Sequence, residues 1–120
     1  MDLRISELLA MQRELQELHK GDWADVVPST ARDHLLWGVG EIGEVIDIIK
    51  KRGDGEIMDN PETRRHFIEE MADVQMYLLD VLLCYGVTAE EYSEVHARKH
   101  ARNMKRNYAE EKRHLFDEKP

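Results

Sequence analysis

The chain has 120 residues, 42% hydrophobic and 35% charged, a size that suits one compact domain and a hydrophobic content that argues against wholesale disorder. Seven glycines and three prolines are too few for an all-β fold with a turn about every ten residues, and the single cysteine, Cys84, excludes an internal disulfide and a multi-cysteine zinc site. The formal net charge of −8 argues against a nucleic-acid polymer as partner, because such binding usually requires a basic surface.

The first half of the chain contains two segments with helical periodicity. The first spans about residues 4–20 and ends at Gly21, and the second runs from residue 29 or 30 to residue 51 or 52 and ends at Gly53. An apolar stripe on the second helix predicts its core-facing side. The stripe comprises Leu35, Val39, Ile42, Ile46 and Ile49.

Two more helices are predicted in the second half, after a polar segment at residues 53–60 that reads as a flexible loop. Asn60 followed by proline is a start signal for the third helix, which ends before Gly86. This helix is apolar nearly all round, so we expect it at the centre of the fold. A capping box at residues 88–91 begins the fourth helix, which runs to about Tyr108. The sequence therefore predicts one all-α domain of four helices over residues 1–108, with a charged, frayed tail at 109–120.

No uncharged apolar run approaches the roughly 18 residues that a membrane span requires. The first residues carry a charge every few positions and lack the apolar core of a signal peptide. We therefore expect a cytoplasmic protein with no membrane partner.

Paired carboxylates are the most informative feature of the two central helices. Glu41 and Glu44 lie three residues apart on the second helix, and Glu70 and Asp73 lie three apart on the third. Residues at this spacing share a helix face, and here the acids are interleaved with large apolar residues. Four partly buried acids are costly unless a cation neutralises them or they take up protons. Oxygen ligands without cysteine or paired histidine favour Mg²⁺, with Mn²⁺ possible. The alternative is that the acids belong to solvated faces.

The two acid pairs also resemble the signature of a known family. Glu41-x-x-Glu44, 25 intervening residues and Glu70-x-x-Asp73 match the E-x-x-E…E-x-x-D pattern of the MazG-like all-α nucleoside triphosphate pyrophosphohydrolases, whose relatives include dimeric dUTPases and dCTP pyrophosphatases. Trp37, just before the first pair, fits the same context. The resemblance covers roughly residues 4–108.

A basic motif on the fourth helix extends the resemblance. Lys99-x-x-x-Asn103-x-x-Arg106 is similar to the K-x-x-x-N-x-x-R pattern of many members. Read without the family, the face that these residues share with Arg102 suits phosphate oxygens, since arginine offers forked donors and lysine a point charge. The alternative is a solvated basic helix end that complements the helix dipole.

The resemblance implies a four-helix MazG-like bundle that is an obligate oligomer, a homodimer or a dimer of dimers. It implies Mg²⁺-dependent cleavage of a (d)NTP between the α- and β-phosphates to (d)NMP and pyrophosphate, in nucleotide housecleaning or in control of one nucleotide pool. Glu44 is expected to act as the catalytic base. The expected metal ligands are Glu41, Glu44, Glu70 and Asp73, and the expected substrate-binding residues are Trp37, Lys99, Asn103 and Arg106.

Two other functions are compatible with the helical pattern. A di-metal carboxylate bundle requires Glu-x-x-His pairs on two helices, and neither acid pair contains one. A non-enzymatic helical assembly or metal-binding module would need the acids only for a structural cation or a basic partner. Trp37 is either a core residue or a platform on which a base stacks.

Gly38-x-Gly40-x-x-Gly43 matches the glycine spacing of a dinucleotide-binding loop. It follows no predicted strand and places Glu41 inside the supposed phosphate cradle, so it lacks the context that this motif requires. We expect these glycines to permit the close approach of another helix or of a ligand, each at about 1 kcal/mol in helix propensity.

Overall fold

A computed structural model describes residues 1–117, with side chains to residue 113, and these residues form an all-helical protein. No strand occurs in the described part; Lys20 and Trp23 make an isolated bridge. A 3₁₀ turn at Pro28–Thr30 leads into the second helix. The helices are α1 (Ile5–Leu18), α2 (Ala31–Arg52), α3 (Asp54–Asp59), α4 (Pro61–Cys84), α5 (Ala89–Lys105) and α6 (Tyr108–Asp117).

The chain forms two compact units, Met1–Ala89 and Glu90–Pro120. In the first unit α4 contacts α1, α2, α3 and the 3₁₀ turn, which confirms the predicted central position of this helix. One cluster of buried apolar residues joins two of these helices. It consists of Leu9 from α1 together with Leu79 and Leu83 from α4.

Local signals define the ends of the central helices as the sequence predicts. Asn60 caps α4, because its side-chain oxygen accepts hydrogen bonds from the backbone N–H groups of Glu62 and Thr63 at 3.0 and 3.2 Å. Gly53 ends α2 with φ of +83°, a conformation that side-chain-bearing residues rarely adopt. These two signals define where α2 ends and where α4 begins.

The predicted core face of α2 is wrong. The stripe from Leu35 to Ile49 is the outer face, with exposed fractions between 42% and 58%. The buried positions are instead Ala31, His34, Gly38, Val45 and Ile48. The physical reason is that small residues on this second face let α2 approach α4 closely, which leaves the apolar stripe about half exposed among the described residues.

The predicted loop at 53–60 is also wrong, because residues 54–59 form α3. This short helix is held by its neighbour α4: Ile57 is buried, the Arg64 guanidinium donates to the Ile57 carbonyl at 3.5 Å, and Thr63 Oγ1 donates to Glu56 Oε2 at 2.9 Å. Tertiary contacts therefore order a segment whose glycines and acids suggest a loop.

The frayed tail predicted from residue 109 is helical as far as residue 117, where it belongs to α6, and residues 118–120 lie outside the described part. Asn107 accepts a hydrogen bond from the Glu110 backbone N–H at 3.0 Å, and Arg106 pairs with Glu111 at 2.8 Å. A cap and an ion pair thus stabilise the first turn of this helix.

No one helix within residues 1–117 is by itself long and apolar enough to cross a membrane.

Candidate functional site

Three carboxylates from two helices converge in the first unit. Glu41 of α2 and Glu70 and Asp73 of α4 each offer one oxygen, and the three oxygens lie within 4.8 Å of one another. All three residues are partly buried. A group of acids at this distance is what a divalent cation with oxygen ligands requires. The structure therefore brings together three of the four acids that the sequence singles out as ligands.

The close approach of α2 to α4 at Gly38 explains why these acids meet. A Cβ atom at Gly38 would lie 3.2 Å from Tyr77 Cβ, tighter than ordinary contact, whereas one at Gly40 or Gly43 would meet nothing within 4 Å. Gly38 lies three residues before Glu41, so this tight contact between the helices lies about one turn from the acids. The predicted role in close helix approach is therefore confirmed for Gly38.

The acids repel one another in the absence of a cation. Burial, followed by the negative charges of Asp73 and Glu70, raises the pKa of Glu41 above its usual value. Burial and the charges of Glu70 and Glu69 likewise raise the pKa of Asp73. Both shifts have the sign expected of a site that favours either protons or a cation.

Glu44, the predicted base and fourth ligand, lies outside this group of three. Its side chain is exposed, and its charge is one of the causes that raise the pKa of Glu41. Another side chain reaches the group from the solvent side: His66 Nε2 lies 3.4 Å from Glu70 Oε1, one helical turn away on α4. His66 is itself exposed, so this contact is a surface pair.

A cavity of about 280 Å³ lies beside the acids, and Asp73 belongs to both. Trp23, Trp37 and Tyr77 give it aromatic walls; Trp37 lies edge-on to Tyr77, with ring centroids 6.4 Å apart. An aromatic cavity with a few polar groups is the usual form of a small-molecule site. The remaining lining residues are Gln12, Leu15, Gln16, Ala24, His34, Met76 and Asp80.

Asp80 organises the polar wall of this cavity. Its Oδ1 accepts hydrogen bonds from Gln12 Nε2 at 2.8 Å and Gln16 Nε2 at 3.1 Å, and its Oδ2 lies 3.5 Å from His34 Nδ1. His34 Nε2 faces the Asp25 carbonyl oxygen at 3.1 Å and must carry a hydrogen, because a carbonyl only accepts. A hydrogen on either His34 Nδ1 or Asp80 Oδ2 completes the remaining contact. Burial nevertheless raises the pKa of Asp80, and these donors oppose the rise.

The sequence did not single out this polar wall. Gln12 and Gln16 are four residues apart and share a helix face with Ile5 and Leu9, so two amides interrupt an apolar line on α1. That interruption is the signal that would have found them. The other half of the wall carries no local signal, because Asp80 and His34 meet only when α2 packs on α4.

Trp37 lies on the cavity wall and not in the core. Its side chain is 46% exposed and lies edge-on to His34, with ring centroids 5.2 Å apart. Of the two roles that the sequence leaves open, the wall position favours a platform for a ligand.

The predicted basic residues belong to the second unit. Lys99 and Asn103 line one open cavity of about 340 Å³ on α5, and Asn103 Oδ1 is buried there without a hydrogen-bond partner among the described residues. Arg106 is engaged elsewhere: its guanidinium pairs with Glu111 at 2.8 Å and lies 4.6 Å from the centre of the Tyr108 ring. An anionic ligand would have to compete with Glu111 for it.

Comparisons with family models, with curated proteins and with solved structures each gave no match to this chain. The functional argument therefore rests on the residues and on their geometry.

Proposed function

We propose that this protein is a Mg²⁺-dependent nucleotide pyrophosphohydrolase, which uses water to split a (d)NTP between the α- and β-phosphates into (d)NMP and pyrophosphate. The observation that carries the proposal is the group formed by Glu41, Glu70 and Asp73, because it shares Asp73 with the aromatic cavity. The three acids that would hold a divalent cation thus adjoin a cavity that could receive a small organic ligand. The resemblance of the acid pairs to MazG-like enzymes supports the same chemistry.

The donor set fits Mg²⁺, with Mn²⁺ as a possible substitute. All three groups are carboxylates, the hard oxygen ligands that these ions prefer, and together they carry enough negative charge to favour a divalent cation. The ion would neutralise triphosphate oxygens and orient the phosphates for attack. In the proposal Glu44 is a fourth ligand or accepts a proton from the attacking water, and its exposure leaves it accessible to that water.

The cavity would receive the nucleoside. Trp37 offers a half-exposed aromatic face for a base. The Tyr77 ring lies next to it, and in the sequence Tyr77 stands between Asp73 and Asp80. Stacking on aromatic side chains contributes about 1–3 kcal/mol per base. The base would then be held on the α1 side of Asp73 and the phosphates on the acidic side.

Lys99, Asn103 and Arg106 are proposed to bind phosphate oxygens and to offset charge on the departing pyrophosphate. Lys99 and Asn103 line the same cavity on α5, where the lysine ammonium and the Asn103 amide hydrogens are the kind of donors that phosphate oxygens require. Arg106→Ala is expected to lower kcat/KM about ten- to a hundredfold, the effect of losing a charged hydrogen bond. Steady-state kinetics test this, with Lys105→Ala as the control. Equal effects from the two variants would show a diffuse electrostatic role.

Assembly as a homodimer, or as a dimer of dimers, is part of the proposal. Monomers rarely leave large contiguous apolar surfaces exposed, and the outer face of α2 is such a surface. A second copy packed there would bury it in a symmetric interface. Ile46→Glu is therefore expected to give monomers in sedimentation velocity, while Lys51→Glu, at an exposed position on the other side of the same helix, keeps the oligomer. A native protein that sediments as an active 14.1 kDa monomer would contradict the assembly.

Pyrophosphate release from a panel of (d)NTPs, with and without Mg²⁺, tests the activity. Glu70→Gln is expected to lower kcat/KM at least about a hundredfold, because it removes a ligand charge, whereas Glu69→Gln, the exposed neighbour outside the group, stays close to native. Near-normal activity in Glu70→Gln would overturn the ligand assignment. A folded, oligomeric protein that releases no pyrophosphate from any triphosphate would favour a non-enzymatic assembly module, the function that the exposed face of α2 alone supports. A cytoplasmic housecleaning role is proposed on the same basis as the activity.

A further inference from the structure

The polar wall of the cavity has hydrogen-bonding groups of fixed orientation. Gln12 and Gln16 are both buried, and each amide nitrogen donates to the same oxygen of Asp80. A carboxylate oxygen in this position accepts hydrogen bonds, so it keeps the nitrogen end of each amide turned toward itself. Neither glutamine is free to exchange its nitrogen and oxygen ends without losing that bond.

The ends that remain for a ligand are mainly acceptors. Each amide nitrogen already uses one hydrogen on Asp80, whereas the oxygen of Gln12 and that of Gln16 have no hydrogen-bond partner among the described residues. Both residues line the cavity. An amide oxygen has two lone pairs, and one that lines a cavity favours a ligand that brings N–H groups.

We propose that Gln12 and Gln16 determine base specificity, selecting a nucleobase with an exocyclic amino group over one with a keto oxygen at the same position. The favoured class contains cytosine and adenine, and the disfavoured class contains uracil and hypoxanthine. This inference deepens the proposed function, on which it rests for the nature of the ligand.

The chemistry of the two classes explains the choice. An amino group presents two hydrogens from one nitrogen and can satisfy both amide oxygens at once. A keto base has only lone pairs at that position and offers a single N–H on the neighbouring ring nitrogen, so it can satisfy at most one of the two amide oxygens. A site built to bond two N–H hydrogens discriminates against an analogue that offers one, because the second acceptor is then left unpaired.

Asp80 is a positioning residue in this proposal, since it acts on the ligand through the glutamines. An asparagine in its place keeps the arrangement: the Oδ1 accepts from both amides, and the new amide nitrogen donates to His34 Nδ1. A leucine removes the acceptor and releases both glutamines. Asp80→Asn should therefore preserve the preference for amino bases, and Asp80→Leu should weaken it.

Binding of unphosphorylated nucleosides to the metal-free protein tests the cavity by itself. Cytidine against uridine and adenosine against inosine are matched pairs that exchange an amino group for a keto oxygen. The chain has two tryptophans, and both Trp23 and Trp37 line the cavity, so quenching of intrinsic fluorescence reports occupancy directly. We expect the Kd of each amino nucleoside to be at least about tenfold below that of its keto partner.

The variants decide whether the glutamines cause that ratio. Gln12→Met with Gln16→Met keeps the length of both side chains, removes the acceptors and should bring the ratio close to one; these variants carry the test if Asp80→Leu does not fold. Equal binding of the matched nucleosides, undetectable binding of all four, or an unchanged ratio in the methionine variant would overturn the inference. Triphosphate cleavage without base preference would leave the proposed function standing and this inference refuted. Selective nucleoside binding without pyrophosphate release would leave this inference standing and refute the proposed function.

Discussion

Two carboxylates on the same helix, Asp73 and Asp80, lie two turns apart and have opposite surroundings. Asp73 faces other acids, Glu41 and Glu70, and burial and like charge raise its pKa. Asp80 is more deeply buried, at 3% exposure, yet it accepts hydrogen bonds from two amides of α1 and contacts His34 of α2. Burial raises the pKa of both, but among the described residues only Asp80 has groups that oppose the rise. The comparison indicates that Asp80 serves the structure of the cavity wall, whereas the surroundings of Asp73 are those of the proposed cation site.

The largest expected effect comes from removing the carboxylate of Asp80, which accepts hydrogen bonds from buried side chains. Asp80→Leu leaves two buried amides without their acceptor and removes the contact with His34, so the free energy of unfolding should fall by about 3–5 kcal/mol. Asp73→Asn removes one of several repelling charges, so in metal-free buffer it should leave stability unchanged or slightly raised. Urea unfolding followed by circular dichroism measures both. Equal destabilisation by the two variants would show that Asp73 also has a structural role.

Magnesium should act on only one of the two regions. A ligand that binds the folded state alone stabilises it by about 2.7 kcal/mol at a hundred times its Kd. We expect Mg²⁺ to raise the melting temperature of the native protein and of Asp80→Asn, and to leave Asp73→Asn unchanged. Calorimetric titration of the same three proteins measures the affinity. Stabilisation that persists in Asp73→Asn would place the cation elsewhere.

The two regions also differ in how far the sequence predicts them. The sequence predicts the acid group in part, because each pair lies within one helix, where a spacing of three places both acids on one face. The meeting of Glu41 from α2 with Asp73 from α4 depends on the contact at Gly38. The wall around Asp80 was missed because its members come from three helices and only Gln12 and Gln16 leave a local trace.

The face of α2 shows a different limit of sequence reasoning. Periodicity identified the stripe from Leu35 to Ile49 correctly as apolar, but a stripe does not say whether it packs within the chain. Here the small residues Ala31 and Gly38 determine which side of α2 meets α4. Likewise the acids and glycines of residues 53–60 favour a loop, and only the packing of Ile57 beside α4 makes α3.

Glycine substitutions on α2 test the contact on which the acid group depends. Gly38→Ala places a methyl group 3.2 Å from Tyr77 Cβ, and crowding there should outweigh the gain in helix propensity, for a net loss of about 1 kcal/mol. Gly43→Ala meets nothing within 4 Å, so it should stabilise by up to about 1 kcal/mol. Unfolding free energies measure both. Stabilisation by both substitutions would mean that the helices adjust without cost, and Mg²⁺ affinity of Gly38→Ala would then be native.

The smallest expected effect is a pH dependence that separates the two regions. Glu41, Asp73 and Asp80 have pKa values raised above the ordinary 4.5, 3.8 and 3.8. The folded state therefore holds these protons more tightly than the unfolded chain does, so their contribution to stability is present at low pH. It is lost as the pH rises from about 4 through each raised pKa. Mg²⁺ should abolish the part of this pH dependence that comes from Glu41 and Asp73, because the cation replaces the protons. Asp80→Asn should abolish only the part that comes from Asp80. Urea unfolding between pH 4 and neutrality, at constant ionic strength with and without Mg²⁺, measures the slopes. A slope that Mg²⁺ does not change would mean that the acid group keeps its charges apart without a cation, and the contrast between Asp73 and Asp80 would then lose its basis.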